Sequence, residues 1–193
     1  MPYTPQNSIG LYAYTHSGST YLLNILLELN ICIFRNDFST FWKIEKNTYI
    51  LSEAERIDLG VWFPRFQRDP RFKFQSKNKI FWTHSLPNKT QIKKKGILLI
   101  RDPRDTLVSA YYRVAQDKPW DQFLNTPFPD SPLEMIPTDD WAIYNHLIFS
   151  IFSKEQLLIL KFEDLKRQPL QEIIKVLKFI DVENIDMESS SLC

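Results

Sequence analysis

Apolar and polar positions divide the 193-residue chain into short apolar runs and longer segments of helical spacing. Residues 9–14 (IGLYAY) form a compact apolar and aromatic run that stops at a polar loop, the pattern of a buried strand. From Ser19 onward, Leu22, Leu23, Ile25, Leu26, Leu27 and Leu29 make a helix that is apolar on most sides and therefore needs burial. Residues 79–83 (KIFWT) read as a second strand and 96–100 (GILLI) as a third, the latter continuous enough to be covered on both faces. A helix is predicted after Pro103, since proline is tolerated in a first turn and residues 106–114 contain few breakers. Residues 121–124 make at most a short helix before the Pro-rich loop 127–137. A long helix at 139–152 and a fourth strand at 156–160 follow. Leu170, Ile173, Ile174, Leu177 and Ile180 then recur at helical spacing, giving a last amphipathic helix over about residues 169–180.

Residues 38–77 follow neither period. Aromatics alternate with Arg65, Arg68 and Arg71, while Pro64 and Pro70 break the segment. With a short helix at 52–58, it is expected to be a substrate-side insertion. Strands alternating with helices predict an α/β, three-layer fold with a central, mainly parallel sheet flanked by helices.

The 44% hydrophobic content suffices for one core, so residues 1–193 are read as a single domain. Cys32 and Cys193 have no paired spacing, which points away from a disulfide framework and from a cysteine metal site and fits a reducing cytoplasm. No stretch approaches the roughly 18 uncharged apolar residues of a membrane helix, and MPYTPQNS lacks a basic start followed by an apolar segment. A cytoplasmic, membrane-free protein is expected. The net charge of +1 hides an uneven distribution: residues 61–105 carry twelve Lys and Arg against three Asp, and residues 138–193 carry six against ten acidic residues. The basic middle suits an anionic ligand, and equally a solvated charged face.

Chemistry enters at THSGST, residues 15–20. A loop handing a strand over to a helix N-terminus is where α/β sheets bind ligands. First-turn N–H groups lack intrahelical partners and lie at the positive end of the dipole, so they can hold phosphate oxygens. Ser17, Ser19 and Thr20 add hydroxyls, and Gly18 permits close backbone approach. The loop is not of the GxxxxGK[ST] type, because no Lys follows Gly18 and no second Gly precedes it. Taken alone, S-G-S-T is also an ordinary capping sequence. Farther on, Arg101 at a strand end can grip a phosphate bidentately, and Ser109 can add a hydroxyl if the helix turns back over the strand. Arg101 pairing with Asp102 or Asp105 is the alternative. Nothing in the basic segment forms a nucleic-acid module, and His146 reads as a structural or surface residue.

Together, Y-T-H-S-G-S-T-Y after the first strand, T-H-S-L-P after the second, R-D-P-R-D-T-L-V-S and K-F-E-D-L-K-R-Q-P-L resemble the sulfotransferase family that uses 3′-phosphoadenosine 5′-phosphosulfate (PAPS). The resemblance runs from Tyr14 to about Ile180. It implies a P-loop-like first strand, loop and helix, in which Thr15, His16, Ser17, Gly18, Ser19 and Thr20 hold the 5′-phosphosulfate end. Tyr21 matches the family's Trp beside the adenine and keeps a flat π face. Arg101 and Ser109 match the pair that binds the 3′-phosphate, and Phe162 stands where the family often has Tyr. His84 matches the catalytic base, a role a neutral imidazole can perform at pH 7. The expected product is 3′-phosphoadenosine 5′-phosphate (PAP), with no metal required. The expected acceptor is the hydroxyl or amine of a small molecule or a carbohydrate, with Trp42, Phe81 and Trp82 among the aromatics that line its site.

The chain departs from the family at two lysines, replaced by His16 and Trp82. His16 can take over the lost charge stabilisation only when protonated, or as a neutral donor; Lys89 or one of Lys93, Lys94 and Lys95 is the other candidate. The family's usual Arg-Lys-Gly stretch past the last helix has no match before Cys193, so either basic residues at 61–77 or a second subunit in a homodimer are expected to cover the 3′-phosphate, or a truncated chain is expected to bind weakly. A PAP-binding domain without turnover is the main alternative, and a nucleotide kinase of related architecture a more distant one.

Overall fold

A computed structural model describes residues 8–29, 31–35, 43–45, 48–50, 64, 71–73, 79–87, 92–127 and 131–182. Strand β1 (Ser8–Ala13) passes through the loop 14–18 into helix α1 (Ser19–Glu28), then β2 (Cys32–Arg35). Three short strands, β3 (Lys43–Glu45), β4 (Thr48–Ile50) and β5 (Arg71–Lys73), form a separate antiparallel sheet in that order. The expected helix at 52–58 lies outside the described residues. β6 (Lys79–Thr83), β7 (Lys95–Ile100), α2 (Pro103–Val114), α3 (Trp120–Leu124) and α4 (Pro137–Ile151) come next. The series ends with β8 (Leu157–Lys161), α5 (Phe162–Arg167) and α6 (Pro169–Phe179).

The main sheet has five strands, all parallel, in the order β2-β6-β1-β7-β8. Alternation along the strands sorts side chains between two cores, because successive residues face opposite sides of a sheet. Ile9, Leu11 and Ala13 of β1, with Ile97 and Leu99 of β7, bury against α1, α5 and α6. Tyr12 and Leu98 face the other way, toward α2, α3 and α4, as does Tyr14 just past β1. The three layers anticipated from the sequence are thus present. The strand the sequence pattern concealed is β2: I-C-I-F continues the apolar run of α1 with barely a polar break.

β1 is the central strand, with β6 and β7 as its two neighbours. Strand order reverses there, so the loops leaving β1, β6 and β7 open at one end of the sheet around a switch point. Those loops carry His16 to Gly18, His84 and Arg101.

Candidate active site

The loop after β1 is built from two left-handed residues. His16 has φ 63° and Gly18 φ 86°. A side chain in this region costs about 1 kcal/mol, and such conformations gather at functional sites. The turn closes with Ser17 N–H donating to the Tyr14 carbonyl at 3.2 Å and Tyr21 N–H donating to the Gly18 carbonyl at 3.0 Å. Gly18 is the N-cap of α1, and no side chain caps the helix. This outcome separates the two readings of S-G-S-T: a capping serine would accept a first-turn N–H with its side-chain oxygen, whereas Ser17 Oγ is fully buried and, among the described residues, has no hydrogen-bond partner. First-turn N–H groups and an orphaned hydroxyl are what an anion at this position would satisfy.

His84 stands on a tight turn past β6. Thr83 Oγ1 accepts the N–H of Ser85 at 3.0 Å, folding the chain sharply around the histidine. His84 Nδ1 lies 2.7 Å from the Ala13 carbonyl oxygen. A carbonyl can only accept, so Nδ1 carries the proton and Nε2 holds the lone pair of the neutral ring. The ring packs edge to face against Trp82, with centroids 5.1 Å apart.

Arg101 follows β7. Its Nη1 donates to the His16 carbonyl at 3.1 Å, its Nε is buried without a partner, and its Cζ lies 5.0 Å from the centre of the Phe162 ring. The alternative in which Arg101 pairs with Asp102 or Asp105 does not occur. Asp102 instead binds Arg104, through Oδ2–Nη2 at 2.7 Å and Oδ1–Nε at 3.0 Å, and caps α2 by accepting the Arg104 N–H. These bonds to Arg104 lower the Asp102 pKa to about 2. Arg101 thus keeps hydrogen-bonding capacity for an external anion.

Phe162 lies directly on the loop: a Cβ at Gly18 would stand 2.2 Å from its Cε2. The Tyr21 ring meets Phe162 edge-on at 6.1 Å, and Lys166 Nζ lies 5.2 Å from the centre of the Tyr21 ring. Gly18, Tyr21, Arg101 and Phe162, four of the residues singled out in the sequence, therefore form one cluster. Ser109 sits half-buried on α2, and among the described residues no hydrogen bond joins it to Arg101. Thr15 is buried in the loop, Ser19 is buried at the first position of α1, and Thr20 beside it is half-buried.

The aromatic residues assigned to the acceptor divide. Trp42 lies outside the described residues. Trp82 is only 7% exposed and belongs to the core on the α1 side, where it backs the His84 ring. Phe81 faces the other way, under Lys93 Nζ at 4.2 Å from its ring centre. That contact also bears on the candidate substitute cations. Lys93, Lys94 and Lys95 precede or begin β7, and Lys95 pairs in register with Ile9 at the start of β1. At about 3.3 Å per residue the Lys95 backbone stands about 16 Å from the end of β7 that leads to Arg101, whereas the Lys93 ammonium reaches the level of Phe81, two residues before the end of β6. Lys89 lies outside the described residues. Two participants had no prior assignment: Lys166, over Tyr21, and Glu163, whose Oε1 accepts the Asp102 N–H at 2.9 Å. His146 is exposed on α4, as expected.

Among the described residues, no group of three or more His, Cys, Asp or Glu is placed to hold a metal ion, and no helix is long and apolar enough to cross a membrane.

This arrangement matches a known family. A family model described as a sulfotransferase domain covers residues 6–191. Sulfotransferase 2A6 of Rattus norvegicus is 25% identical over 178 residues, spanning 88% of this chain and 58% of its own length. Mouse sulfotransferase SULT7A1, solved in complex with PAP, superposes with a TM-score of 0.56 at 19% identity, over 96% of this chain and 62% of that one. A sulfotransferase from Alicyclobacillus acidocaldarius gives the same TM-score at 14% identity, over 98% and 88%. The chain spans about three-fifths of the rat and mouse proteins it matches. Since the family match takes in all but the outermost residues, the chain belongs to the sulfotransferase family.

Proposed function

We propose that this protein moves a sulfonate group from PAPS to the hydroxyl or amine of a small molecule or carbohydrate, with His84 as general base. The observation that carries the reading is the 2.7 Å contact between His84 Nδ1 and the carbonyl of Ala13, the last residue of β1, which supports the proton on Nδ1 and sets the histidine beside the start of the phosphate loop. PAP bound to the mouse relative supports the nucleotide.

The residues present fit such a nucleotide. Among the described residues, the buried Ser17 hydroxyl and Arg101 Nε both lack partners and no side chain caps the first turn of α1. Ser17, Gly18, Ser19 and Thr20 would hold the 5′-phosphosulfate end, Arg101 with Ser109 the 3′-phosphate, and Tyr21 with Phe162 the adenine. When bound, PAPS supplies the sulfonate that is transferred. His84 Nε2 takes the acceptor's O–H or N–H proton as the new bond to sulfur forms, and the Nδ1–H bond to Ala13 steadies the imidazolium that results. Loop N–H groups stabilise negative charge on the departing 5′-phosphate while Arg101 anchors the 3′-phosphate, so the protein contributes positioning and electrostatics. The cytoplasm and a single domain with a substrate-side insertion at 38–77 remain parts of this proposal.

One observation favours a second reading. The family's two lysines are His16 and Trp82 here, and Trp82 is buried in the core. A domain that binds PAP without turnover would need neither cation.

Transfer of labelled sulfonate from PAPS to a panel of phenols, alcohols, amines and sugars separates the two. The enzyme reading expects turnover that falls by about 10²–10⁴-fold in His84→Ala. PAP binding with no transfer to any acceptor would support the binder, and undiminished turnover in His84→Ala would remove His84 as the base.

A further inference from the structure

Among the described residues, Arg101 is held by three contacts, none of them a carboxylate on its guanidinium. Its Nη1 rests on the His16 carbonyl, its face on Phe162, and the peptide that follows it is tied down by Glu163. This last contact completes a capping arrangement across two helices. In a capping box, a Glu or Gln three residues after the N-cap accepts the N-cap N–H. Here the N-cap is Asp102 and the residue at that spacing is Asp105, which makes no such bond; the acceptor comes from α5, where Glu163 Oε1 takes the Asp102 N–H at 2.9 Å. The adjacent residue of α5, Phe162, lies against the Arg101 side chain. One dipeptide therefore fixes both the backbone and the side chain of the turn that presents Arg101.

We infer that Glu163 is a positioning residue for 3′-phosphate recognition, acting through the Asp102 N–H to aim the Arg101 guanidinium. The inference rests on the nucleotide reading given above. It runs against simple electrostatics: a carboxylate near a phosphate site repels the ligand, so if charge alone mattered, removing it would tighten binding.

Titration calorimetry with PAP and with AMP, which lacks the 3′-phosphate, tests this on the full chain as wild type, Glu163→Ala and Glu163→Gln. Glu163 is exposed, so both variants should fold, and thermal unfolding without nucleotide verifies it. Loss of the acceptor in Glu163→Ala should weaken PAP by about tenfold while leaving AMP unchanged. Glu163→Gln keeps an oxygen that can accept the Asp102 N–H and should bind PAP at least as tightly as wild type. Equal weakening of PAP and AMP in Glu163→Ala would reduce Glu163 to a structural staple, and unchanged or tighter PAP binding there would leave only a charge effect; either overturns the inference. A wild type that does not distinguish PAP from AMP would instead remove the nucleotide reading, and the inference with it.

Discussion

Gly18→Ala puts the geometry of the loop under direct strain. The new Cβ would lie 2.2 Å from Phe162 Cε2, 2.4 Å from Cδ2 and 2.9 Å from Cζ, all inside van der Waals contact. It would also hold an alanine at φ 86°. The left-handed backbone costs about 1 kcal/mol. Forcing a carbon into occupied space adds roughly 1–3 kcal/mol. The Phe162 ring can relieve the clash only by leaving Gly18, Tyr21 and the Arg101 guanidinium, so relief exchanges stability for nucleotide affinity. Since each kcal/mol moves the midpoint of a domain this size by about 2–4 °C, the unliganded variant should melt about 4–16 °C lower, or melt less far below wild type and bind PAP more weakly. Circular dichroism melting paired with PAP calorimetry reads both arms. An alanine variant with the wild-type midpoint and the wild-type PAP affinity would show that Phe162 does not sit on the loop as described, and would refute the reasoning.

Ser17→Ala should behave in the opposite sense. Its hydroxyl is buried and unpartnered, so its removal should leave stability unchanged or raise it by about 1 kcal/mol in urea unfolding, while PAP affinity falls; a loss of stability with intact PAP binding would contradict a ligand role. Asp140 on α4 is fully buried, with Oδ2 accepting from Ser131 Oγ and from the Leu133 N–H at 3.3 Å. Burial raises its pKa, against the lowering effect of the Leu133 and Met135 backbone bonds. A carboxyl raised in the folded state contributes stability that is full below its unfolded value near about 4 and is lost as pH rises through the folded value. The stability of wild type relative to Asp140→Asn should therefore decline from acidic toward neutral pH in urea melts, and a pH-independent difference would be inconsistent with the buried carboxyl.

The sequence pattern reached the parallel sheet, and β6 with its bounds intact, because K-I-F-W-T is set off by polar residues on both sides. It missed β2, where the apolar run of α1 continues into the strand, and α5, whose six residues follow β8 directly and are too short to show a period. Within the site, residues carried by a loop motif were legible: His16 to Gly18, His84 and Arg101 come from three strands that prove to be neighbours. What the motifs could not convey was sheet polarity and contacts between helices. Lys95 lies close to Arg101 in sequence yet begins β7 at the opposite end of the strand. Glu163 stands in a recognised motif, but its bond to the Asp102 N–H depends on how α5 meets α2, which no local spacing encodes.

The central claim is that the loop after β1 holds the 5′ end of a nucleotide whose 3′-phosphate Arg101 recognises. Calorimetric titration of wild type and Arg101→Ala with PAP and AMP tests it most directly. The account predicts that wild type prefers PAP by at least about tenfold, as a charge-assisted bidentate contact requires, and that Arg101→Ala binds PAP no better than AMP. A preference for PAP that survives in Arg101→Ala, or its absence in wild type, would contradict it.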